Sequence, residues 1–269
     1  MTVVLVHGNP ETAAVWGPLV DALAEPAVVR LSPPGFGVPL PPGWDGSSGP
    51  EGYRAWLVGE LEALAGPVHL VGHDWGGAHV VNVAMTRPDL LRSWCTDGIG
   101  LFDPDHTWHA LARTWQTPGD GEEAMAALTA PTEERRAAYL TSIGVPAAIA
   151  TFLAPGCADV SAAAVLDLYR AARPPVMAVL GRNLAAAARR PGLVLLRRRR
   201  ARDRGDGPPV GRTGRRRDRG AARPGSLVDA GGPGPRRGRA APVLGRGAVR
   251  PGLRQASTRP SSIRTVRSA

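Results

Sequence analysis

The chain has 269 residues, enough for one large domain or two small ones and for a sizeable core. No run of about 18 apolar residues occurs, which argues against a transmembrane helix. Two cysteines, Cys95 and Cys157, exclude a disulfide scaffold and a cysteine-rich metal site. The formal net charge of +10 would suit a nucleic-acid binder, but the charge is unevenly placed. Residues 1–196 carry 12 Arg against 19 Asp and Glu, a net of −7, whereas residues 197–269 carry 21 Arg against 4 Asp, a net of +17. Lysine is absent throughout. No basic-then-apolar leader precedes the first strand-like run, so the expected location is cytoplasmic.

The first 196 residues alternate between strand and helix patterns. Thr2–His7 is a β-branched run ending at a glycine and reads as a buried strand. Ala13–Ala24 places Val15, Trp16, Leu19, Val20 and Leu23 at helical spacing. Ala27–Leu31 is a second strand, closed by Ser32-Pro33-Pro34-Gly35, and Gly43 to Gly49 is a loop. Glu51–Ala65 is an amphipathic helix, Pro67–Val71 a third strand, Trp75–Thr86 a helix and Leu91–Thr96 a fourth strand. Such alternation predicts an α/β fold with a mostly parallel sheet. Residues 103–188 carry Ala-rich helical stretches such as Gly121–Thr129, Thr132–Leu140 and Ala162–Ala172. Gly192–Leu196 then returns to strand character.

After Leu196 the pattern stops. Residues 197–269 hold no Phe, Trp, Tyr, His, Met, Cys, Glu or Lys, and Arg, Gly, Ala and Pro make up 51 of the 73. Too little apolar surface is available to offset chain entropy, which predicts disorder.

Gly72-His73-Asp74-Trp75-Gly76-Gly77 follows a strand and opens a helix. This is the nucleophile-elbow pattern, in which glycines permit a tight turn that holds the central side chain at the strand end. Here the central residue is Asp74. The plain alternative is a Gly-rich turn with Asp74 capping the helix. Two further motifs agree with the elbow. His7-Gly8-Asn9-Pro10 follows the first strand, where this fold class places part of an oxyanion hole. Leu31-Ser32-Pro33-Pro34-Gly35-Phe36-Gly37 follows the second and is similar to an Asp-x-Pro-Gly-x-Gly turn, with Ser32 in the Asp position.

On these motifs residues 1–196 resemble the α/β-hydrolase superfamily, in the branch of haloalkane dehalogenases and epoxide hydrolases. Asn9, with Trp16 beyond it, is the more dehalogenase-like feature. The resemblance implies a core over 1–102, a helical cap over 103–188 that roofs the pocket, and a returning core strand over 189–196. It also implies that the strands preceding the oxyanion loop in the family are not represented. The implied mechanism begins with Asp74 attacking an electrophilic carbon of a small apolar molecule to form an ester. A histidine-activated water then hydrolyses that ester. Asn9 and Trp75 would stabilise the leaving halide or developing oxyanion, and no metal or organic cofactor is required.

The resemblance places the catalytic histidine near the C-terminus, and there this chain has none. Its six are His7, His69, His73, His79, His106 and His109. His7 is expected to be structural, His73 to point away from the elbow, and His106 and His109 to pack in the cap. The acid's usual place, just after Gly192–Leu196, is taken by Arg197–Arg200; the resemblance also offers the end of the strand following the elbow, where some dehalogenases carry it, and Asp97, 23 residues past Asp74, lies close to that spot. Its plain alternative is a strand-end turn residue. In the cap, Tyr139 and Tyr169 have one functional alternative to packing, since epoxide hydrolases use two cap tyrosines to polarise the epoxide oxygen. Haloalkane dehalogenase is thus the first expectation, epoxide hydrolase the second, and a basic-tail nucleic-acid binder the third. The last lacks the aromatics that base stacking needs. Without a base, turnover is expected to be poor or absent.

The abrupt composition change at a strand end predicts that residues from roughly 197 onward are read out of frame. Ser226-Leu227-Val228-Asp229-Ala230-Gly231-Gly232-Pro233 permits codons whose reading one base later is His-Trp-Trp-Met-Leu-Glu-Asp. A His-Trp motif is what relatives carry at the catalytic histidine. Nucleotide sequencing from codon 197 tests this: the expected codons encode His across the Ser226/Leu227 junction in the shifted frame, and codons that forbid it refute the frameshift.

Overall fold

The computed structural model describes residues 1–23, 27–44 and 49–196, together with the backbone of 263–267. Six strands form one sheet: Val3–Val6 (β1), Val28–Leu31 (β2), Val68–Gly72 (β3), Leu91–Thr96 (β4), Gly192–Leu196 (β5) and Ile263–Arg267 (β6). Their order is β2-β1-β3-β4-β5-β6, and every neighbouring pair is parallel. The chain leaves β1 toward β2 on one side and returns to β3 on the other. The carboxyl ends of β1 and β3 therefore flank the point where the strand order reverses, which is where open parallel sheets bind ligands.

The helices of the first half are Gly17–Leu23 (α1), Gly49–Glu62 (α2) and Trp75–Thr86 (α3). The helix expected over 13–24 begins as a 3-10 turn, Ala13–Trp16, and becomes α-helical only at Gly17. Pro18 accounts for the break, because it has no N–H for an α-helical bond and is tolerated only in a helix's first turn. α3 is buried from Trp75 through Met85. It lies against β3 and β4 and is covered by α2 and by the 3-10 turn Leu184–Arg189, which explains why its sequence is apolar nearly all round. In β4, Trp94 is buried and its indole donates to the Ala187 carbonyl at 3.0 Å, tying that turn to the sheet. Cys95 is half-buried because it alternates with Trp94 and Thr96 onto the other face, while Cys157 is buried.

Between β4 and β5 the described chain is helical throughout, as expected of a cap. It runs through Ala110–Gln116 (α4), Asp120–Leu128 (α5), Glu133–Ser142 (α6), Ala147–Leu153 (α7), Ala162–Ala171 (α8) and Val176–Gly181 (α9), with short 3-10 turns. Among the described residues no helix is long and apolar enough to cross a membrane. Most of the segment expected to be disordered, 197–262 and 268–269, lies outside the described residues. The exception corrects that expectation: Ile263–Arg267 pairs with β5 over five residues. Averaged over the tail, composition hides this short run, where β-branched Ile263, Thr265 and Val266 favour an extended backbone.

One buried cation organises the insertion. Arg136 of α6 is 5% exposed. Its guanidinium donates to the carbonyl of Ala154, at the end of α7, at 2.6 Å and to that of Ala130, just past α5, at 2.7 Å. Carbonyls at helix C-termini carry partial negative charge and lack helical partners, so they suit a buried guanidinium. Arg136→Met keeps most of the packing but leaves both carbonyls unsatisfied. It is expected to lower stability by about 2–3 kcal/mol, read as a reduced denaturation midpoint.

Candidate active site

The site is built where β1, β3 and β4 end beside the start of α3. Asp74 sits between β3 and α3 with φ of 51° and is the one non-glycine residue with positive φ among those described. A residue held there carries roughly 1–3 kcal/mol of strain and needs surrounding structure to fix it. That structure is present. The Asp74 backbone N–H donates to Asp97 Oδ1 at 2.9 Å, and Asp74 Oδ2 accepts from the Asn9 backbone N–H at 3.0 Å. Gly76 lies against the backbone carbonyls of Val6 and His7, a position a Cβ would fill, and a Cβ on Gly8 would meet the Asp74 side chain. Gly72 and Gly77 give the same closeness inside the turn. Burial raises the Asp74 carboxyl above its ordinary range, against the opposing pull of the Asn9 and Trp75 N–H groups and of His73.

Asn9 makes one contact that its sequence context does not suggest. Its backbone, rather than its amide, bonds Asp74. Its buried side chain has no hydrogen-bond partner for either Nδ2 or Oδ1. The amide faces the Tyr169 hydroxyl, as does the Trp75 indole, and both favour the ionised phenol. Burial and the nearby Asp74 carboxylate outweigh them and raise the Tyr169 pKa far above the ordinary value. Tyr169 comes from α8 and is 2% exposed. Its ring packs at 5.5 Å from Trp75, 5.8 Å from Trp108 and 4.8 Å from Trp115. Trp108, just before α4, stacks 6.0 Å from Trp75. Tyr139 lies half-buried on α6 and shares none of these ring contacts. The structure therefore brings one of the two cap tyrosines to Asp74.

The histidines divide clearly. His7 is structural: burial lowers its pKa and keeps it neutral, Nδ1–H donates to the Gly8 carbonyl at 2.9 Å, and Nε2 accepts from the Ser32 hydroxyl at 3.0 Å. Ser32 thus supplies the donor a neutral imidazole requires. His79 is stacked on Tyr53 at 4.9 Å, with burial lowering its pKa to about 3. His69 bonds Ser93 Oγ at 2.7 Å. His106 lies edge-on to Trp108, and His109 caps α4 by accepting from the Ala112 N–H at 3.1 Å. Among the described residues no histidine is hydrogen-bonded to the Asp74 side chain. His73 bonds Asp97 Oδ2 through Nδ1 at 2.5 Å and Glu11 Oε1 through Nε2 at 3.2 Å. These bonds raise its pKa to about 11.

A cavity of about 310 Å³ lies beside this cluster, lined by Thr12, Val15, Phe152, Leu153 and Asp159 among others, and none of Asp74, Asn9, Trp75 or Tyr169 lines it.

A parallel sheet with a tight strand–helix turn, an acidic residue on that turn and helices inserted before the next strand define an α/β-hydrolase architecture. The alpha/beta hydrolase family model matches residues 3–259, and the chain belongs to that family. The match continues past Leu196, where the sequence resemblance was confined. An epoxide hydrolase of Caballeronia sordidicola is 33% identical over 94 residues, covering 34% of this chain and 29% of that protein. The curated relatives are matched over about a third or less of their own length. The epoxide hydrolase CorEH superimposes with TM-score 0.53 at 20% identity, over 73% of this chain and 74% of that one. An E-2-(acetamidomethylene)succinate hydrolase does so with TM-score 0.51 at 21% identity, over 73% and 72%. At such identities the superpositions speak to the fold.

Sequence reasoning missed Glu11, Trp108 and Trp115. The two tryptophans, seven residues apart at either end of α4, carried a helical-face signal. Glu11 carried none, because its role depends on a strand 60 residues away. The His73 contacts also set a pH dependence. A histidine whose pKa is raised on folding adds stability below its unfolded value of 6.5 and loses it as pH rises toward about 11. The melting temperature is expected to fall as pH is raised from about 6.5 to about 10, with a shallower slope in His73→Gln.

Proposed function

We propose that this chain is an Asp-nucleophile hydrolase of the epoxide hydrolase and haloalkane dehalogenase branch, with helices 103–188 acting as its cap. Asp74 attacks an electrophilic carbon of a small apolar substrate. The observation that carries this reading is a half-buried carboxylate on the strained turn, anchored through Asn9 N–H and near enough to the buried Tyr169 phenol to raise its pKa. Epoxide opening moves ahead of dehalogenation on the same observation. As a carboxylate oxygen bonds to a ring carbon and that C–O bond breaks, the departing oxygen takes the phenolic proton. This gives a hydroxyalkyl ester on Asp74 and a tyrosinate that Asn9 and Trp75 are placed to stabilise. Burial suits each partner, since it keeps Tyr169 protonated and leaves the Asp74 carboxylate poorly solvated.

Dehalogenation is the second reading, with Asn9 Nδ2 and the Trp75 indole binding the leaving halide. It is supported by the unpartnered Asn9 amide. In both readings the second half-reaction lacks a histidine base, because His73 is engaged by two carboxylates and His7 by Gly8 and Ser32. The ester is therefore expected to accumulate.

Intact-protein mass spectrometry after incubation with styrene oxide or 1-iodobutane tests both readings. The expected result is a stable adduct of the whole epoxide, or of the alkyl group without halide, lost in Asp74→Ala. Tyr169→Phe is expected to slow the epoxide adduct about 100-fold while leaving the alkyl adduct within a few-fold. Equal slowing of both, or rapid multiple turnover by the full chain, would contradict these roles for Tyr169 and Asp74.

A further inference from the structure

We propose that His73 is a fixed imidazolium, clamped between Glu11 and Asp97, that ties three strand ends together and keeps the half-buried Asp74 carboxylate ionised. This makes His73 and Asp97 positioning residues of the elbow rather than parts of a proton relay, and it rests on the reading of Asp74 as the nucleophile.

Hydrogen-bond counting supplies the first argument. Both ring nitrogens of His73 face carboxylate oxygens, Nδ1 toward Asp97 Oδ2 at 2.5 Å and Nε2 toward Glu11 Oε1 at 3.2 Å. A neutral imidazole has a single N–H, so one contact would set a lone pair against a carboxylate. Only the doubly protonated ring satisfies both. His7 is the internal contrast, since its partners are one carbonyl and one hydroxyl, which a neutral ring satisfies.

The second argument is the local charge. The groups facing His73 are Glu11 from the loop after β1, Asp97 after β4, its neighbour Asp74, and His7 at the end of β1. The half-buried Cys95 thiol on β4 lies on the Asp97 side. Three carboxylates thus converge, and with His7 neutral His73 is the cation that offsets them. Without it, two carboxylates would push the Asp74 carboxyl further toward its protonated, non-nucleophilic form.

The third argument is placement. Glu11, His73 and Asp97 follow β1, β3 and β4, which are adjacent in the sheet. The clamp therefore crosses three strand ends just beneath the turn. Asp97 completes it by using Oδ2 for His73 and Oδ1 for the Asp74 N–H. Both of its oxygens are thereby engaged, which leaves the candidate triad acid holding the strained backbone.

Nitrogen-15 NMR of the histidine side chains in the full chain, with His73 assigned by its loss in His73→Gln, provides the direct test. The ring is expected to stay doubly protonated from pH 6 to 9. Titration of His73 between pH 6 and 7.5 would overturn the proposal. The second arm follows Asp74 adduct formation with styrene oxide against pH in the wild type and in His73→Gln. Gln can donate to a carboxylate but carries no charge. The midpoint for the variant is expected at least one pH unit higher, whereas an unshifted profile with a uniformly lower rate would reduce His73 to a structural residue and overturn its electrostatic role. If the wild type forms no adduct, the nucleophile reading fails. The same shift is then read from the carbon-13 titration of the Asp74 carboxyl, so the two failures remain distinguishable.

Discussion

The arrangement depends on how closely the start of α3 can approach the ends of β1 and β3. Gly76 rests on the Val6 and His7 carbonyls, and Gly8 leaves room for the Asp74 side chain. A methyl group at either place would push helix and strands apart. With that contact in place, the chain can turn from β3 into α3 within one residue, and the turn forces Asp74 to a positive φ. The local strain is offset by two strand-end loops that bond to the turn or to its neighbour: the loop after β1, through Asn9 to the carboxylate and Glu11 to His73, and the loop after β4, through Asp97 to the backbone. The glycines thus bring the strand ends close enough for such bonds to form, and the bonds fix the side chain that the turn presents.

Two opposed environments meet at Asp74. Above it, α8 and the segment around α4 present Tyr169, Trp108 and Trp115, which together with Trp75 form an aromatic wall. Such a wall excludes water and raises the free energy of a carboxylate. Below it, Glu11, His73 and Asp97 form a charged layer that remains partly in solvent, with the His73 side chain 41% exposed. A carboxylate poised between a dry face and a wet, ion-paired face can remain charged yet be weakly solvated toward the substrate. On the proposed reading, the helical insertion is the low-dielectric half of the site, and the buried Arg136 joins the ends of α5 and α7 within it.

Much of this was legible in the sequence where one local rule governs. Trp75–Thr86, Leu91–Thr96 and Gly192–Leu196 are elements whose periodicity and punctuation lie in their own residues, and the structure places them as read. The elbow was legible because glycine spacing and a central acid are themselves the geometry. Less was visible where partners are distant in sequence. The family resemblance points to the Asp97 position, but its two bonds depend on β4 lying beside β3. Glu11 pairs with His73 across the β1–β3 junction. The engagement of Tyr169 and not Tyr139 depends on the path of α8, which helix-forming Ala-rich sequence does not encode locally. β6 was missed for the opposite reason, because a local alternation was averaged away within a strongly biased segment.

On the proposed reading, the same interactions leave an Asp at this elbow without the base that a full hydrolytic cycle needs. A general base must accept a proton from water near neutral pH and therefore must begin neutral. His73 is close enough to act on Asp74, yet both its nitrogens donate to carboxylates, so it has no lone pair to offer. His7 has a lone pair, but it accepts from the Ser32 hydroxyl, and its Nδ1–H is held by Gly8. His79 is neutral but enclosed by Tyr53 and Trp75 inside α3's packing. The contacts hold and aim a carboxylate, and in the proposed reaction Tyr169 delivers the proton. Those functions form an ester, whereas breaking the ester requires an imidazole that is uncharged and free on one nitrogen. Near the elbow, His73 is charged and His7 has both nitrogens engaged, while His79 keeps a free nitrogen but is walled in between Tyr53 and Trp75.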